Sequence, residues 1–226
     1  MSEKQIKSKE RVADHGEVYT AQREVNAMLD LVKHETERIE SRFLEPACGN
    51  GNFLSEILKR KLAVVRRNYG KSKAEFEKYS VIAVTSIYGV ELLEDNVQEC
   101  IKRLYDIWHK EYKSVCKNET LPDCEEAVKF ILQHNILCGN ALSMLKVDSD
   151  GNDIDEPIIF AQWDITTGDM IKRRDYRLDE LMKAQNEQMD MDMLLNGWEY
   201  DEEMKSWIPS PIKEYPPINY WEVQNA

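Results

Sequence analysis

Nowhere in the 226 residues is there an apolar run approaching the roughly 18 residues that a bilayer-spanning helix requires. No apolar stretch follows the start Met1-Ser2-Glu3-Lys4-Gln5 either, so no secretory signal is visible. Cysteine is sparse. Cys48, Cys100, Cys116, Cys124 and Cys138 form no CxxC pair and have no histidine at matching spacing, so a zinc site is not expected and the set of metal ligands is empty. An odd count without a signal fits reduced thiols in a cytoplasmic protein with no membrane contact.

Basic charge is also short, but only in part of the chain. Thirty Lys and Arg face 42 Asp and Glu, for a net charge of −12. Residues 1–80 carry 16 basic and 13 acidic groups, residues 81–146 carry 7 and 10, and residues 147–226 carry 7 and 19. A net-acidic chain repels phosphate, so DNA is expected to bind weakly or only with a partner's help.

The pattern of apolar residues divides the remainder. Residues 1–14 are polar and read as a flexible N-terminus. Thr20 is a good helix N-cap, followed by Val25, Met28, Leu29 and Val32 on one helical face. Phe43-Leu44-Glu45-Pro46 reads as a short strand running into the glycine-rich turn Cys48-Gly49-Asn50-Gly51-Asn52. A helix from Phe53 follows, burying Leu54, Ile57, Leu58, Leu62 and Val65, and residues 66–79 read as an insertion or an extension of it. Val81 to Leu92 is rich in β-branched residues and predicts a strand ending at Glu91. Asn96 to Tyr112 and Ala127 to Leu132 predict helices, Asn135 to Cys138 a strand, and Ala141 to Leu145 one helical turn.

Asp148-Ser149-Asp150-Gly151-Asn152-Asp153 is an acidic turn, with its glycine at the fourth position and not at the sixth that a calcium loop needs. Pro157 to Ala161 predicts a fourth strand, giving a sheet in the order 3-2-1-4. Arg174 to Leu195 reads as an amphipathic helix. From Gly197 onwards Trp198, Tyr200, Trp207, Tyr215, Tyr220 and Trp221 stand among four prolines, an extended arm suited to covering the fourth strand.

Alternation of strand, glycine turn, helix and strand is the start of a parallel α/β sheet, in which ligands sit beyond the carboxyl ends of the strands. The turn has GxG but no third glycine, and no Lys-Ser/Thr follows it, so it is neither a complete dinucleotide fingerprint nor an ATP phosphate loop. Glu45 would repel a pyrophosphate but suits an ammonium group. Glu91, ending the second strand, is placed for ribose hydroxyls. An amino acid at one end and a nucleoside at the other describe S-adenosylmethionine. Cys48 has no partnered histidine and reads as a small filler rather than a nucleophile.

The segment Phe43 to Leu54 resembles motif I of the adenine-specific (N6) DNA methyltransferases of restriction–modification systems. His15-Gly16-Glu17-Val18-Tyr19-Thr20 resembles their motif X, Tyr88-Gly89-Val90-Glu91-Leu92 with Asp95-Asn96-Val97 their motif II, and Asn135 to Leu142 their motif III. Over roughly residues 11–145 the four motifs stand in the family's order. The resemblance implies a partial Rossmann-like methyltransferase fold, with a parallel sheet flanked by helices in residues 15–195 and the aromatic arm in 196–226. It implies that S-adenosylmethionine is held by Tyr19 and Thr20, by Glu45, Pro46, Ala47, Cys48, Gly49, Gly51 and Phe53, by Glu91 and Leu92, and by Asn140, Ala141 and Leu142.

The family's Asn/Asp/Ser-Pro-Pro-Tyr/Phe tetrapeptide, which holds the target amine and base, is missing after the fourth strand, where Ala161-Gln162-Trp163-Asp164 stands instead. Pro216-Pro217 lies about fifty residues too late. No catalytic residue is therefore assigned. The chain is expected to be a truncated or split methyltransferase completed by another methyltransferase or restriction subunit, or by self-association through its sheet edge. The alternative is a non-catalytic relative that binds or inhibits a restriction–modification component.

Overall fold

Three short parallel strands carry the glycine turn. The computed structural model of the chain describes residues 7–9, 11, 13, 18–183, 198–201 and 206–226. His15, Gly16, Glu17, Gly197 and the 184–195 part of the long helix expected from the sequence lie outside these residues. Helix α1 (Gln22–Leu31) is preceded by Ala21, which caps it without a side-chain bond, so Thr20 is not the N-cap. Val25 and Leu29 are buried as expected, but Met28 is 55% exposed. A single turn, α2 (Lys33–Thr36), leads to β1 (Phe43–Glu45), and α3 (Asn52–Tyr69) follows the glycine turn with Leu54, Ile57, Leu58, Leu62 and Val65 in the core.

The β-branched run from Val81 holds two elements. α4 (Lys73–Thr85) is capped by Ser72, which accepts the Glu75 N–H, and only Ile87–Glu91 forms strand β2. Residues 80–91 are all buried, so neither a helical nor a strand periodicity is left for the sequence to display. α5 (Glu94–Cys116), α6 (Pro122–Asn135) and β3 (Ile136–Cys138) complete the sheet in the order β1-β2-β3, with Glu45 opposite Gly89 and Glu91 opposite Cys138. Ala141 to Leu145 is a turn rather than a helix, closed by the Met144 N–H on the Asn140 carbonyl at 2.7 Å.

Beyond β3 the chain departs from the parallel pattern. β4 (Leu145–Val147) and β5 (Asp153–Pro157) form a hairpin around the acidic turn, whose Asp148 Oδ1 accepts the Asp150 and Asn152 N–H groups, both at 2.9 Å. β6 (Ile159–Ile165) then pairs antiparallel with β7 (Met170–Arg177). The ends of β6 show how it lies against the sheet. A methyl group on Gly139, just past β3, would meet Ile158 Cδ1 at 2.6 Å, which places the start of β6 at the carboxyl end of the sheet. Trp163 Nε1 donates to Asn135 Oδ1 at 2.8 Å, just ahead of β3, and Asp164 pairs with Arg42 at 3.2 Å, just ahead of β1. β6 therefore runs antiparallel to β1–β3.

The order 3-2-1-4 is thus corrected. β6 pairs β7, and among the described residues no strand pairs the outer edge of β1, where Leu44 remains 42% exposed. The start of the helix expected from Arg174 is corrected too: among the described residues the helix begins at Leu178 (α7, Leu178–Lys183), and 170–177 is strand. Its charges bridge between and along strands: Arg174 holds Asp164 through Nε at 3.0 Å and Nη2 at 2.7 Å, and Arg173 holds Asp175. Of the arm, β8 (Glu199–Asp201) pairs β9 (Ser206–Ile208), while β10 (Lys213–Glu214) and β11 (Ile218–Asn219) both pair β7. Part of the arm extends the sheet that contains β6 through β7, and Trp207, Ile208 and Pro209 share a cavity with Phe160, Ala161 and Gln162 of β6. Among the described residues no helix is long and apolar enough to cross a membrane.

Candidate functional site

Parallel pairing brings the carboxyl ends of β1 and β2 together, and the side chains there meet across the glycine turn. Glu91 is 8% exposed. Its Oε2 accepts the Gly49 N–H at 2.8 Å, and its Oε1 accepts the Leu93 N–H at 3.2 Å and the Asn96 side-chain amide at 3.3 Å. The turn is further tied by the Cys48 N–H to the Val90 carbonyl at 2.9 Å, and the Gly139 N–H reaches the Glu91 carbonyl at 2.9 Å. Motifs I, II and III are thus physically joined at this end of the sheet.

The two glycines of the turn answer to packing. Gly49 (φ 52°) and Gly51 (φ 84°) occupy the left-handed region. A methyl group on Gly51 would come within 2.6 Å of Cys100 Sγ, and one on Gly49 within 3.2 Å of the Tyr19 ring. The neighbouring Cys100 thiol and burial push the Cys48 thiol well above its ordinary range, which suits a filler and not a nucleophile.

Glu45 is half-buried, and among the described residues no cation pairs with it. Burial pushes its carboxyl up, against the opposing pull of the Ala47 N–H. Pro46 and Ala47 are exposed, and Phe53 packs against the core. Asn140 is engaged locally: its Oδ1 accepts the Leu142 N–H at 3.0 Å and its Nδ2 donates to Asp153 Oδ1 at 2.9 Å. One amide hydrogen and one lone pair are left for a ligand. Leu92 is half-buried, Ala141 packs against the core, and Leu142 stands 95% exposed, away from any enclosing surface.

Tyr19 and Thr20 lie on the other flank of the turn. There they line a cleft of about 450 Å³ with Asn50, Asn52, Ser55 and Arg103, while Glu45 and Glu91 do not reach it. Arg103 Nη1 donates to Asn52 Oδ1 at 2.6 Å and Asn50 Oδ1 at 3.3 Å, and Asn52 donates to the Thr20 carbonyl at 3.1 Å. Three residues missing from the sequence-based site organise it: Asn96, which donates to Glu91, Arg103, which holds Asn50 and Asn52, and Lys7, whose Nζ donates to Asn96 Oδ1 at 2.6 Å. Asn96 stood inside the motif II segment, but nothing local in the sequence marks it as the neighbour of Glu91, and Lys7 and Arg103 carry no signal at all.

The residues after the fourth strand lie at the far end of the sheet. Trp163 and Asp164 are bonded to Asn135, Arg42 and Arg174, at the amino ends of β1 and β3, so they do not face Glu45 and Glu91. Residues 19–149, more than half of the chain, match the family model described as MmeI, DNA-methyltransferase domain. Neither a curated protein nor a solved structure matches the chain.

Proposed function

The chain belongs to the MmeI DNA-methyltransferase domain family, a restriction–modification DNA methyltransferase family, and from that premise we propose that it binds S-adenosylmethionine at the carboxyl ends of β1 and β2. Glu45 takes the ammonium, Glu91 the ribose hydroxyls and Asn140 the adenine edge, while Tyr19, whose ring lies against Gly49, backs the turn from its other flank. Bound there, the cofactor supplies an electrophilic methyl group. The methyl acceptor, an adenine amine, rests on the motif order alone.

The observation that carries this reading is the pair of carboxylates at one end of the sheet. Burying acids costs stability unless donors or positive charge offset it. Glu91 holds three donors and keeps one lone pair on Oε2, and Glu45 has its Ala47 N–H but no cation among the described residues. A ligand with an ammonium and vicinal hydroxyls fits both. We propose further that the residues that hold and activate the target base come from a partner subunit, a reading supported by the direction of β6, which carries Trp163 and Asp164 away from Glu45 and Glu91.

Calorimetric titration with S-adenosylmethionine tests the cofactor half. The intact chain is expected to bind in the micromolar range. Glu45→Ala and Glu91→Ala are each expected to weaken binding by about tenfold or more, the size of one lost charge-assisted hydrogen bond. Absence of heat with the intact, folded chain would sink the cofactor reading. Transfer of a labelled methyl group to DNA by this chain alone would overturn the reading of the missing half.

A further inference from the structure

Asn96 is fully buried in the first turn of α5 and stands between the acid of the site and the N-terminal segment. Its side-chain oxygen accepts from Lys7 Nζ at 2.6 Å and from the Tyr19 hydroxyl at 3.1 Å, and its amide nitrogen donates to Glu91 Oε1 at 3.3 Å. An amide can present either end to a neighbour, but an ammonium can only donate. A carboxylate can only accept, so Lys7 and Glu91 together fix the orientation, with the oxygen of Asn96 towards Lys7 and its NH₂ group towards Glu91. Lys7 is itself held by Asp95 at 3.2 Å and Glu99 at 2.8 Å, and Arg11 closes on Asp95 through two bonds of 2.6 and 3.0 Å. Arg11, with Lys7 assisting, holds the Asp95 carboxyl down to about 2.

We propose that Asn96 is a positioning residue that aims the Glu91 carboxylate at the ribose hydroxyls of the cofactor, and that Lys7 from the N-terminal segment anchors its oxygen so that the amide stays on Glu91. The proposal rests on the S-adenosylmethionine reading of the site. Two of the three donors on Glu91 are backbone groups that no side-chain substitution removes. Asn96 is the third, and it shares Oε1 with the Leu93 N–H. Without its amide donor, Oε1 keeps only the backbone bond, and the carboxylate can rotate so that Oε2 no longer faces the ligand.

A general loss of fold would weaken every ligand equally, whereas misaiming of Glu91 weakens only those with ribose hydroxyls. The test therefore measures binding of S-adenosylhomocysteine and of its analogue lacking both ribose hydroxyls. The intact protein is expected to prefer the hydroxylated ligand by about tenfold or more, the size of a hydrogen bond to a charged group. Asn96→Ala is expected to bring that ratio close to one while affinity for the dideoxy analogue stays within about threefold of the intact protein. Lys7→Ala, at a partly exposed position, is expected to lower the ratio with little effect on folding. An unchanged ratio in Asn96→Ala, or equal loss for both ligands, overturns the proposal. If Asn96→Ala does not fold, an unchanged ratio in Lys7→Ala overturns it instead. Failure of the intact protein to bind either ligand counts against the cofactor reading itself, a different result from binding without ribose preference.

Discussion

Lys61 shows what one residue contributes beneath the site. It lies fully buried on α3, where Nζ donates to the Ile39 carbonyl at 3.1 Å, to Ser86 Oγ at 2.6 Å and to the Ser41 carbonyl, and stands 5.1 Å from the centre of the Phe43 ring. It thereby ties the segment entering β1 to the residue entering β2. Among the described residues no carboxylate pairs with it, and burial lowers its pKa from 10.5 to about 7. In the unfolded chain the group stays charged up to its ordinary value, so between these limits the unfolded state holds more protons and stability rises with pH. Below pH 7 both states are charged and the full cost of burying the cation is present. Urea unfolding is expected to show greater stability at pH 8.5 than at pH 7, and Lys61→Met is expected to flatten that rise. An identical slope in the variant would remove Lys61 as its source. The sequence places this lysine among Leu58, Leu62 and Val65, on the apolar side of its helix, but the acceptors that make its burial tolerable come from two distant segments.

At the scale of elements, the arm closes the second sheet and is latched to the first domain layer. β10 and β11 pair with β7, and the Tyr220 hydroxyl donates to Glu77 Oε1 at 2.9 Å, with Tyr112 on the other oxygen. Glu77, Tyr220 and Val223 are all buried. Removing residues 197–226 strips two strands from β7 and one donor from a buried carboxylate, so the shortened protein is expected to aggregate as judged by light scattering. A soluble monomer would count against that. Tyr220→Phe isolates the latch and is expected to cost about 1–3 kcal/mol in denaturant unfolding, the penalty for an unsatisfied buried acceptor. That the aromatics of the arm want a surface is readable from composition. That the surface includes α4, and that the partner strand is the charged segment 170–177, is not. Arg174 and Asp175 look helical next to Leu178 and Leu181, and only pairing with β6 and the arm makes them a strand.

Over the whole molecule the charge of −12 and the reversed strand point the same way. The deficit lies in residues 147–226, whose described part forms the antiparallel layer and the strands of the arm, where the family resemblance calls for a base pocket and DNA contacts. At about 0.15 M salt the chain alone is expected to show no micromolar binding to random duplex DNA by fluorescence anisotropy, because phosphate binding needs a basic surface to release counterions. Micromolar affinity that falls steeply with salt would contradict this.

The sequence by itself determined the family and the end of the sheet where its motifs gather. A strand, a glycine turn, a helix and a strand-terminal acid are local in the chain, and parallel pairing then leaves little freedom in where Glu45, Gly49 and Glu91 meet. Tertiary structure alone decided the direction of β6, which pairs with β7 and not with β1, and the roles of Asn96, Lys7 and Lys61. Each depends on contacts between segments 20 or more residues apart, where a strand pattern reads the same in either direction and a buried polar residue gives no local sign of its partner.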